Sequence, residues 1–497
     1  MPFQHFSANE AVNERKTYYL GKARENYPPM FYKEIRPMPQ GVTGKKGFEF
    51  VLDLGDHYVG KFSFSMDSVD DFIAAPVHTT IRFAEDLNEL NADFSAYKGR
   101  LCASWLQEEV LNIDVPGDVH MERRYACRYI KFTIQEARRT VKFDNFCFTA
   151  STSADDTKLK SAVIEDSMLN KIDKIACKTL RDCMQTFFED GPKRDRRMWT
   201  GDLRVQALAN YYTYDNRETV KRSMYLFAAS DYDELGFLPG FVYERPYFFS
   251  GRDHIADYAM FYVCLVCDYL EHTGDKETAL DLLPVCKEQM QAFENVLDER
   301  GIVVNQPGWF AFIDWNEGLE KMTALQGTYL YTLEKFVAML NELGEDASHY
   351  EEQLIKGRKA SYEHLFDKEQ GIFCNATDNF DKSVHSQVFM ILGGVVSGEE
   401  GKKALLSTLG NEEIRQPKTP YMQHYTIEAM MKLGMVEQAK QFMVDFWGGM
   451  VELGVDTFWE AFVPGDPSFS PYGDHLIDSL CHAWSCTPTY LIRRFFI

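Results

Sequence analysis

Hydrophobic side chains alternate with polar ones through the first third of the chain. Apolar residues recur at every second position in several short runs, which are separated by Gly, Asp and Pro. A period of two is typical of strands that bury one face. The clearest runs are residues 62–66, 77–83, 130–134 and 146–148. The pattern predicts an antiparallel β-sandwich over residues 47–152, preceded by an extended lead-in over residues 1–46.

After the polar segment 151–157 the apolar spacing lengthens to that of helices. Ile164, Met168, Ile172, Ile175, Leu180 and Phe187 fall on one helical face. Similar patterns recur at residues 258–270, 283–297, 327–343, 348–366, 384–392, 421–433 and 436–447. Short polar turns join them, which indicates helical hairpins over residues 153–497. An (α/α)6 toroid is favoured over a solenoid, because the aromatic-rich insertions lie between helices, where a toroid gathers its loops.

Composition narrows the range of functions. The chain has 497 residues and a formal net charge of -22, which excludes nucleic acid as a natural partner. It has neither a signal-like amino terminus nor an apolar run long enough for a membrane span, so we expect a cytoplasmic protein. A secreted chain whose leader has been removed would look the same. The eleven cysteines lie in apolar contexts, so we expect reduced core thiols, no metal and no cofactor.

The segment at residues 190–202 has the densest chemistry of the chain. Its two glycines and its proline fit a turn, but Asp190, Arg194, Asp195, Trp199 and Asp202 exceed what a turn needs. Further segments that combine acids or His with Trp lie at residues 309–318, 456–462 and 475–484. Indole rings can stack on a pyranose while carboxylates bind its hydroxyls, so these segments indicate a carbohydrate site.

Glycoside hydrolysis needs two carboxyl groups, one protonated and one ionised. Glu460 follows Phe458 and Trp459 and is the best candidate for the ionised group.

Several motifs together resemble glycoside hydrolase family 78, the inverting α-L-rhamnosidases. That family's signature is similar to Asp-Cys-Pro-x-Arg-Asp-Glu-Arg followed by Trp-Thr-Gly-Asp. This chain has Asp-Gly-Pro-Lys-Arg-Asp-Arg-Arg from position 190 and Trp-Thr-Gly-Asp from position 199. Later blocks resemble the family in the same order: residues 257–261, 313–315, 458–460 and 481–484. Residues 58–60, 81–85 and 123–129 resemble its preceding sandwich.

The resemblance implies roles for matching residues. Glu460 matches the general base that activates the attacking water, and His482 matches a substrate-binding histidine. The matches of Asp190, Arg194 and Asp195 imply contacts with the sugar, and Trp199 matches a ring-packing tryptophan. Further candidates for substrate binding are Asp202, Asp314, Trp315 and Trp459.

The chain departs from the family at one position. The general acid of the family is the glutamate after the Arg-Asp pair, where this chain has Arg196. Arginine cannot deliver a proton near neutral pH because its pKa is too high. We therefore expect Asp195 to act as the acid, with Glu317 as the second candidate and Asp202 as the third. Arg196 is expected to bind the substrate, by pairing with a carboxylate or sulfate on it.

The sequence thus predicts an inverting glycosidase that removes a terminal α-L-rhamnose or related sugar from an oligosaccharide or glycoside. Two alternatives stay open. The loss of the glutamate is also compatible with a glycan-binding protein without catalysis. A polysaccharide lyase acting on uronates is the other, with a base such as His482. The sequence leaves open whether the protein is a homo-oligomer.

Overall fold

The computed structural model describes residues 10–69, 75–245 and 247–497. The amino-terminal domain, here called the sheet domain, is a single antiparallel sheet of eight strands. The strand order is β1-β8-β3-β7-β4-β5, with β2 beside β8 and β6 beside β3. A short helix, α2 (Leu87–Asn91), follows β4. The strands are β1 (Phe31–Ile35), β2 (Val42–Gly44), β3 (Glu49–Ser68), β4 (Val77–Ala84), β5 (Glu108–Ile113), β6 (Gly117–His120), β7 (Tyr125–Glu136) and β8 (Val141–Thr152).

The long strand β3 lets this sheet close over its own core. Its first residues pair with β7, whereas its second half pairs with β8 and β6. Aromatic rings from facing strands, such as Phe64 and Phe132 at 5.2 Å, meet between these strands. The inward positions of the alternating pattern are the buried ones, so the predicted antiparallel sandwich is confirmed.

Twelve of the described helices form the second domain. They are α3 (Ser167–Cys183), α4 (Thr200–Tyr212), α5 (Arg217–Ala228), α6 (Ala256–Thr273), α7 (Lys276–Glu294), α8 (Met322–Leu343), α9 (Ser348–Leu365), α10 (Val384–Leu392), α11 (Gly398–Thr408), α12 (Pro420–Lys432), α13 (Val436–Glu452) and α14 (Pro488–Phe495). Short strands lie in the connections: β9 (Met198–Trp199), β10 (Phe241–Tyr243) and β11 (Phe249–Ser250) form one small sheet, and β12 (Phe366–Asp367) pairs with β13 (Ile372–Phe373). None of the described helices is long and apolar enough to cross a membrane.

The helices form a closed double ring. Helices α4, α6, α8, α10, α12 and α14 each contact the next, and α14 contacts α4. The alternate helices pack outside this inner ring. Buried Arg204 on α4 reaches across to Asp268 on α6 and Tyr425 on α12, at 2.9 and 3.1 Å. The predicted (α/α)6 toroid is therefore confirmed, and its loops between inner and outer helices carry the candidate site.

The expected extended lead-in is wrong over much of its length. Residues 10–25 form helix α1 (Glu10–Glu25), which packs on α5 of the toroid. The ring of Tyr19 stacks on that of Tyr225 at 5.9 Å, so tertiary packing determines this helix. The sheet also begins earlier than expected, because β1 pairs with β8. Residues 1–9 of the expected lead-in lie outside the described part.

A buried ion cluster joins the two domains beneath residues 190–202. The Nζ of Lys193 lies 2.9 Å from a carboxylate oxygen of Glu89 and 3.5 Å from one of Glu85, both in the sheet domain. It also donates to the carbonyls of Leu476 and Asp478 in the toroid, at 3.1 and 3.0 Å. Lys193 therefore fixes three segments at once.

Replacing this lysine should destabilise the protein strongly. In Lys193→Met the carboxylates of Glu85 and Glu89 stay buried without their cation, so we expect the free energy of unfolding to fall by ~3–5 kcal/mol. Denaturant titration measures the change.

Lys46→Met is the matched control, because Lys46 and Glu136 form an exposed ion pair. It should change the free energy of unfolding by less than ~1 kcal/mol. Equal and small losses in the two variants would contradict the structural role of Lys193.

Candidate active site

The segment at residues 190–202, here called the Asp190 loop, is wound around the side chain of Asp190. One carboxylate oxygen of Asp190 accepts the N–H of Arg197 at 3.0 Å, and the other accepts the N–H of Asp195 at 3.2 Å. Gly191 is required by close packing, because a Cβ there would lie 2.3 Å from the carbonyl oxygen of Arg194. The loop therefore has one tightly determined conformation.

Arg194 connects the Asp190 loop to the segment between α13 and α14. Its Nε donates to the carbonyl of Ile477 at 2.9 Å, and its guanidinium lies 4.4 Å from the ring centre of Tyr472. Its Nη2 binds a carboxylate oxygen of Glu460, while its Nη1 lies 3.4 Å from Asp195 Oδ1. A single buried guanidinium thus contacts both carboxylates that the sequence assigns to catalysis.

Glu460 is 2% exposed and accepts three hydrogen bonds. Its carboxylate accepts the hydroxyl of Tyr472, the N–H of Ser479 at 3.2 Å and the guanidinium of Arg194. Burial alone would raise the pKa of Glu460, but the charges of Arg194 and His482 outweigh burial and hold the pKa below its usual value. Glu460 is therefore ionised at neutral pH, as a general base must be.

His482 lies between two carboxylates on the floor of the site. Its Nε2 is 3.2 Å from Asp202 Oδ1, and its Nδ1 is 3.9 Å from Glu460 Oε2. Burial works against protonation, but the carboxylates of Glu460, Asp202 and Asp190 raise the pKa of His482 to about 9. The resulting imidazolium has a buried Nδ1 without a hydrogen-bond partner in the described structure.

Two carboxyl groups of the Asp190 loop, those of Asp190 and Asp195, differ in access. Burial raises the pKa of Asp190 to about 8, and the charges of Asp195 and Asp202 contribute to the rise. Asp195 keeps 19% of its side chain exposed, with Arg197 Nη1 3.7 Å away. It faces a cavity of about 880 Å³ between the two domains, here called the interdomain cavity. Asp195 is thus the accessible member of the pair, and Asp190 is the buried one.

Two of the tryptophans singled out in the sequence pack close to these groups. Trp199, at the start of α4, lies against Phe241 with 4.5 Å between ring centres. Trp315 lies 5.7 Å from the ring of Tyr472, whose hydroxyl binds Glu460. Both keep part of their surface accessible, as rings that stack on a sugar must.

Trp459 is more enclosed. It is 8% exposed and packs 5.6 Å from the ring of His475. Its main-chain carbonyl accepts the hydroxyl of Ser485. These contacts support the segment that carries Glu460.

Three expected site residues have other surroundings. The carboxylate of Asp314 is saturated, because it accepts hydrogen bonds from His385 at 2.8 Å, from both the N–H and the hydroxyl of Thr419, and from the N–H of Lys418. These bonds give Asp314 a structural role, and its expected role in substrate binding stays a prediction. Glu317 is exposed, and its carboxylate makes no hydrogen bond or ion pair with any described residue.

Arg196 is the third expected site residue whose surroundings differ from those expected. It has a left-handed backbone conformation, with φ of 61°. Its Nε donates to the carbonyl of Pro192 at 2.8 Å and its Nη2 to that of Arg124 at 2.6 Å. The side chain therefore links the Asp190 loop to the sheet domain and borders the interdomain cavity.

Sequence reasoning did not identify Tyr472, although its hydroxyl binds the carboxylate of Glu460. It lies in a Pro-Tyr-Gly turn two residues before Asp474, with no tryptophan beside it, and the chain has 26 tyrosines. Trp484, whose indole N–H donates to the carbonyl of Glu460 at 2.8 Å, was detectable from its Cys-His-Ala-Trp block.

Comparisons with known proteins agree with this arrangement. Residues 33–150 match the family model of the glycosyl hydrolase family 78 α-rhamnosidase N-terminal domain. Residues 160–495 match the bacterial α-L-rhamnosidase six-hairpin glycosidase domain. A search of curated protein sequences gives no match.

Solved structures extend the similarity to the whole chain. A rhamnosidase from Klebsiella oxytoca with rhamnose bound is 33% identical, with a TM-score of 0.92 over 97% of this chain and 99% of that one. A family 78 rhamnosidase of Bacillus sp. GL1 shares the fold, with 22% identity and a TM-score of 0.77 over 92% of this chain and 48% of that one. A Streptomyces avermitilis α-L-rhamnosidase complexed with L-rhamnose also shares the fold. It has 18% identity and a TM-score of 0.71 over 94% of this chain and 44% of that one.

The charge state of His482 is directly measurable. We expect its imidazole to titrate with a pKa of about 9, so that it stays protonated at neutral pH. Asp202→Asn removes one anionic partner and should lower the pKa of His482 by ~1 unit or more. NMR titration of histidines labelled at Cε1 gives the values, and the resonance is assigned by its loss in His482→Gln.

Asp231→Asn is the control, because Asp231 pairs with Lys16 elsewhere in the structure. It should leave the titration of His482 unchanged. A His482 resonance that titrates near pH ~6.5, the value of a free imidazole, would contradict the ion cluster described above.

Proposed function

Because the chain belongs to glycoside hydrolase family 78, we propose that it hydrolyses terminal α-L-rhamnosides with inversion of configuration. Membership makes the protein a glycosidase. The observation that carries the proposal is the guanidinium of Arg194, which contacts Glu460 on one side and Asp195 on the other. The Klebsiella oxytoca structure contains rhamnose, which supports this sugar as the substrate.

In the proposed reaction Glu460 is the general base. Its lowered pKa keeps it ionised, so it can take a proton from a water molecule that attacks the anomeric carbon of the sugar. Arg194 and Tyr472 hold the carboxylate by hydrogen bonds, which fixes its direction. The hydroxyl of the attacking water remains on the sugar.

Asp195 is the proposed general acid. As the anomeric C–O bond breaks, its proton passes to the glycosidic oxygen, which leaves as an alcohol. Both oxygens of the neighbouring Asp190 are occupied by main-chain N–H groups, whereas Asp195 faces open space. Glu460 as the base and Asp195 as the acid would then supply the two carboxyl functions that inversion requires.

The raised pKa of Asp190 has a place in this scheme. A protonated Asp190 beside Asp195 removes one negative charge from the loop in the resting protein. The imidazolium of His482 is available to donate a hydrogen bond to a hydroxyl of the sugar. These groups bind and orient the substrate, and no metal or cofactor enters the scheme.

Glu460→Gln should abolish the base without changing the size of the side chain. We expect kcat on 4-nitrophenyl α-L-rhamnopyranoside to fall by ~10²–10⁴-fold, because the neutral amide cannot accept the proton of the water. Release of 4-nitrophenol measures the rate.

Glu317→Gln is the matched control, since Glu317 is exposed and was the alternative acid. It should retain kcat within about twofold, as expected for a surface substitution away from the site. Full activity of Glu460→Gln would overturn the assignment of the base. NMR of the first product should show the inverted anomer, and retention would contradict the single-displacement mechanism.

A further inference from the structure

The interdomain cavity is built by both domains. The sheet domain contributes Trp105 and Arg124 to its wall, and the toroid contributes Asp195, Arg196 and Tyr243. Its volume of about 880 Å³ lies in the range of small-molecule sites. The cavity therefore has the size of a ligand site, and neither domain forms it alone.

The cavity lies on the side of the reaction centre where the leaving group must depart. Asp195 is part of its wall, and Glu460 is not. Arg194 lies between the two carboxylates, with one terminal nitrogen on each. In an inverting displacement the water attacks from the side of the base, and the leaving group departs toward the acid. The leaving group would thus lie in the interdomain cavity.

The wall of this cavity is positively charged, although the protein is strongly acidic. Six lysines and arginines line it against four aspartates and glutamates, on a chain with a net charge of -22. The cations are Lys61, Arg123, Arg124, Arg196, Arg197 and Arg245. A local excess of this kind favours an anionic ligand.

Two of the six cations have no carboxylate partner. Lys61, Arg123, Arg124 and Arg197 each form an ion pair. Arg196 and Arg245 have no carboxylate of the described structure within 4.0 Å. Arg196 donates to two neutral carbonyls in a half-buried position, so none of its described hydrogen bonds goes to a carboxylate. A half-buried cation without a directly bonded counterion is costly, and an anion in the cavity would lower that cost.

We propose, building on the function proposed above, that the interdomain cavity binds a leaving group that carries an anion, such as the carboxylate of a uronic acid residue. Arg196 and Arg245 form the anion-binding side. Planar guanidinium groups pair well with carboxylate and sulfate oxygens. Trp105 and Tyr243 provide aromatic surface for the ring that bears the anion. The substrate would thus be a rhamnoside of an acidic sugar or of a comparable acid.

The test compares matched leaving groups. Three rhamnosides are used: one linked to a uronic acid, its methyl ester, and the analogue with a sulfate in place of the carboxylate. Release of rhamnose gives kcat/KM for each. We expect the free acid to exceed its ester by about tenfold, the scale of a charge-assisted hydrogen bond. The preference should shrink as ionic strength rises.

Arg245→Gln and Arg196→Gln should each lower the ratio of acid to ester toward one. Because the ratio compares two substrates on one protein, it does not depend on the active fraction of a variant. Arg245 is exposed, so its substitution should also preserve the fold. Lys46→Gln, which removes an exposed cation of the sheet domain, is the control and should keep the full ratio.

The outcomes separate the two proposals. Equal kcat/KM for acid, ester and sulfate would overturn the anion site while leaving the rhamnosidase function intact. A preference for both anions supports a general anion site, and a preference for the free acid alone supports carboxylate recognition. If no rhamnoside is cleaved, including the 4-nitrophenyl one, the proposed function fails. Calorimetry with the free uronic acid and its methyl ester then still decides the inference, since equal binding overturns it.

Discussion

The buried guanidinium of Arg194 is the contact on which the candidate site depends. It is bonded to the carbonyl of Ile477, binds Glu460 and approaches Asp195. Burial alone would raise the pKa of Glu460, whereas the charge of this cation lowers it and so keeps Glu460 ionised. The same contacts fix the direction of both acids. Arg194 therefore contributes to both the position and the charge state of Glu460.

The two domains support this contact together. Lys193, the residue before Arg194, is held by Glu85 and Glu89 of the sheet domain and binds carbonyls of the segment that follows Glu460. Glu85 also accepts the N–H of Leu480 at 2.8 Å. The sheet domain thus belongs to the framework of the site. Its residues also form one wall of the interdomain cavity.

Much of the fold is predictable from the sequence, because hydrophobic periodicity reports which face of an element is buried. Helix α4 shows the limit of this signal. It is buried on nearly every side, so it has no polar face to reveal a helical period. Helix α1 is stabilised by its packing on α5. The sequence pattern of this segment alone predicts an extended chain instead.

The site is predictable only in part, for a related reason. Asp190, Arg194 and Asp195 are adjacent in sequence and identify a motif together. Asp314 is hydrogen-bonded to His385 and Thr419, which are distant in sequence, so the segment around Trp315 does not reveal that this carboxylate already has partners. Tyr472 reaches Glu460 from a Pro-Tyr-Gly turn, and the sequence marks this turn but not the partner of the tyrosine hydroxyl. Partners brought together by the fold decide which carboxylates remain free.

The central claim is that Asp195 protonates the leaving group while Glu460 remains ionised. The most direct test measures how the rate of the Asp195→Asn variant depends on the leaving group of the rhamnoside. A 2,4-dinitrophenyl rhamnoside departs without a proton, whereas a methyl rhamnoside needs one. The account predicts that Asp195→Asn slows the methyl rhamnoside ~10²–10⁴-fold more than the dinitrophenyl one. Equal losses on both substrates, or a leaving-group-dependent loss in Asp190→Asn but not in Asp195→Asn, would contradict it.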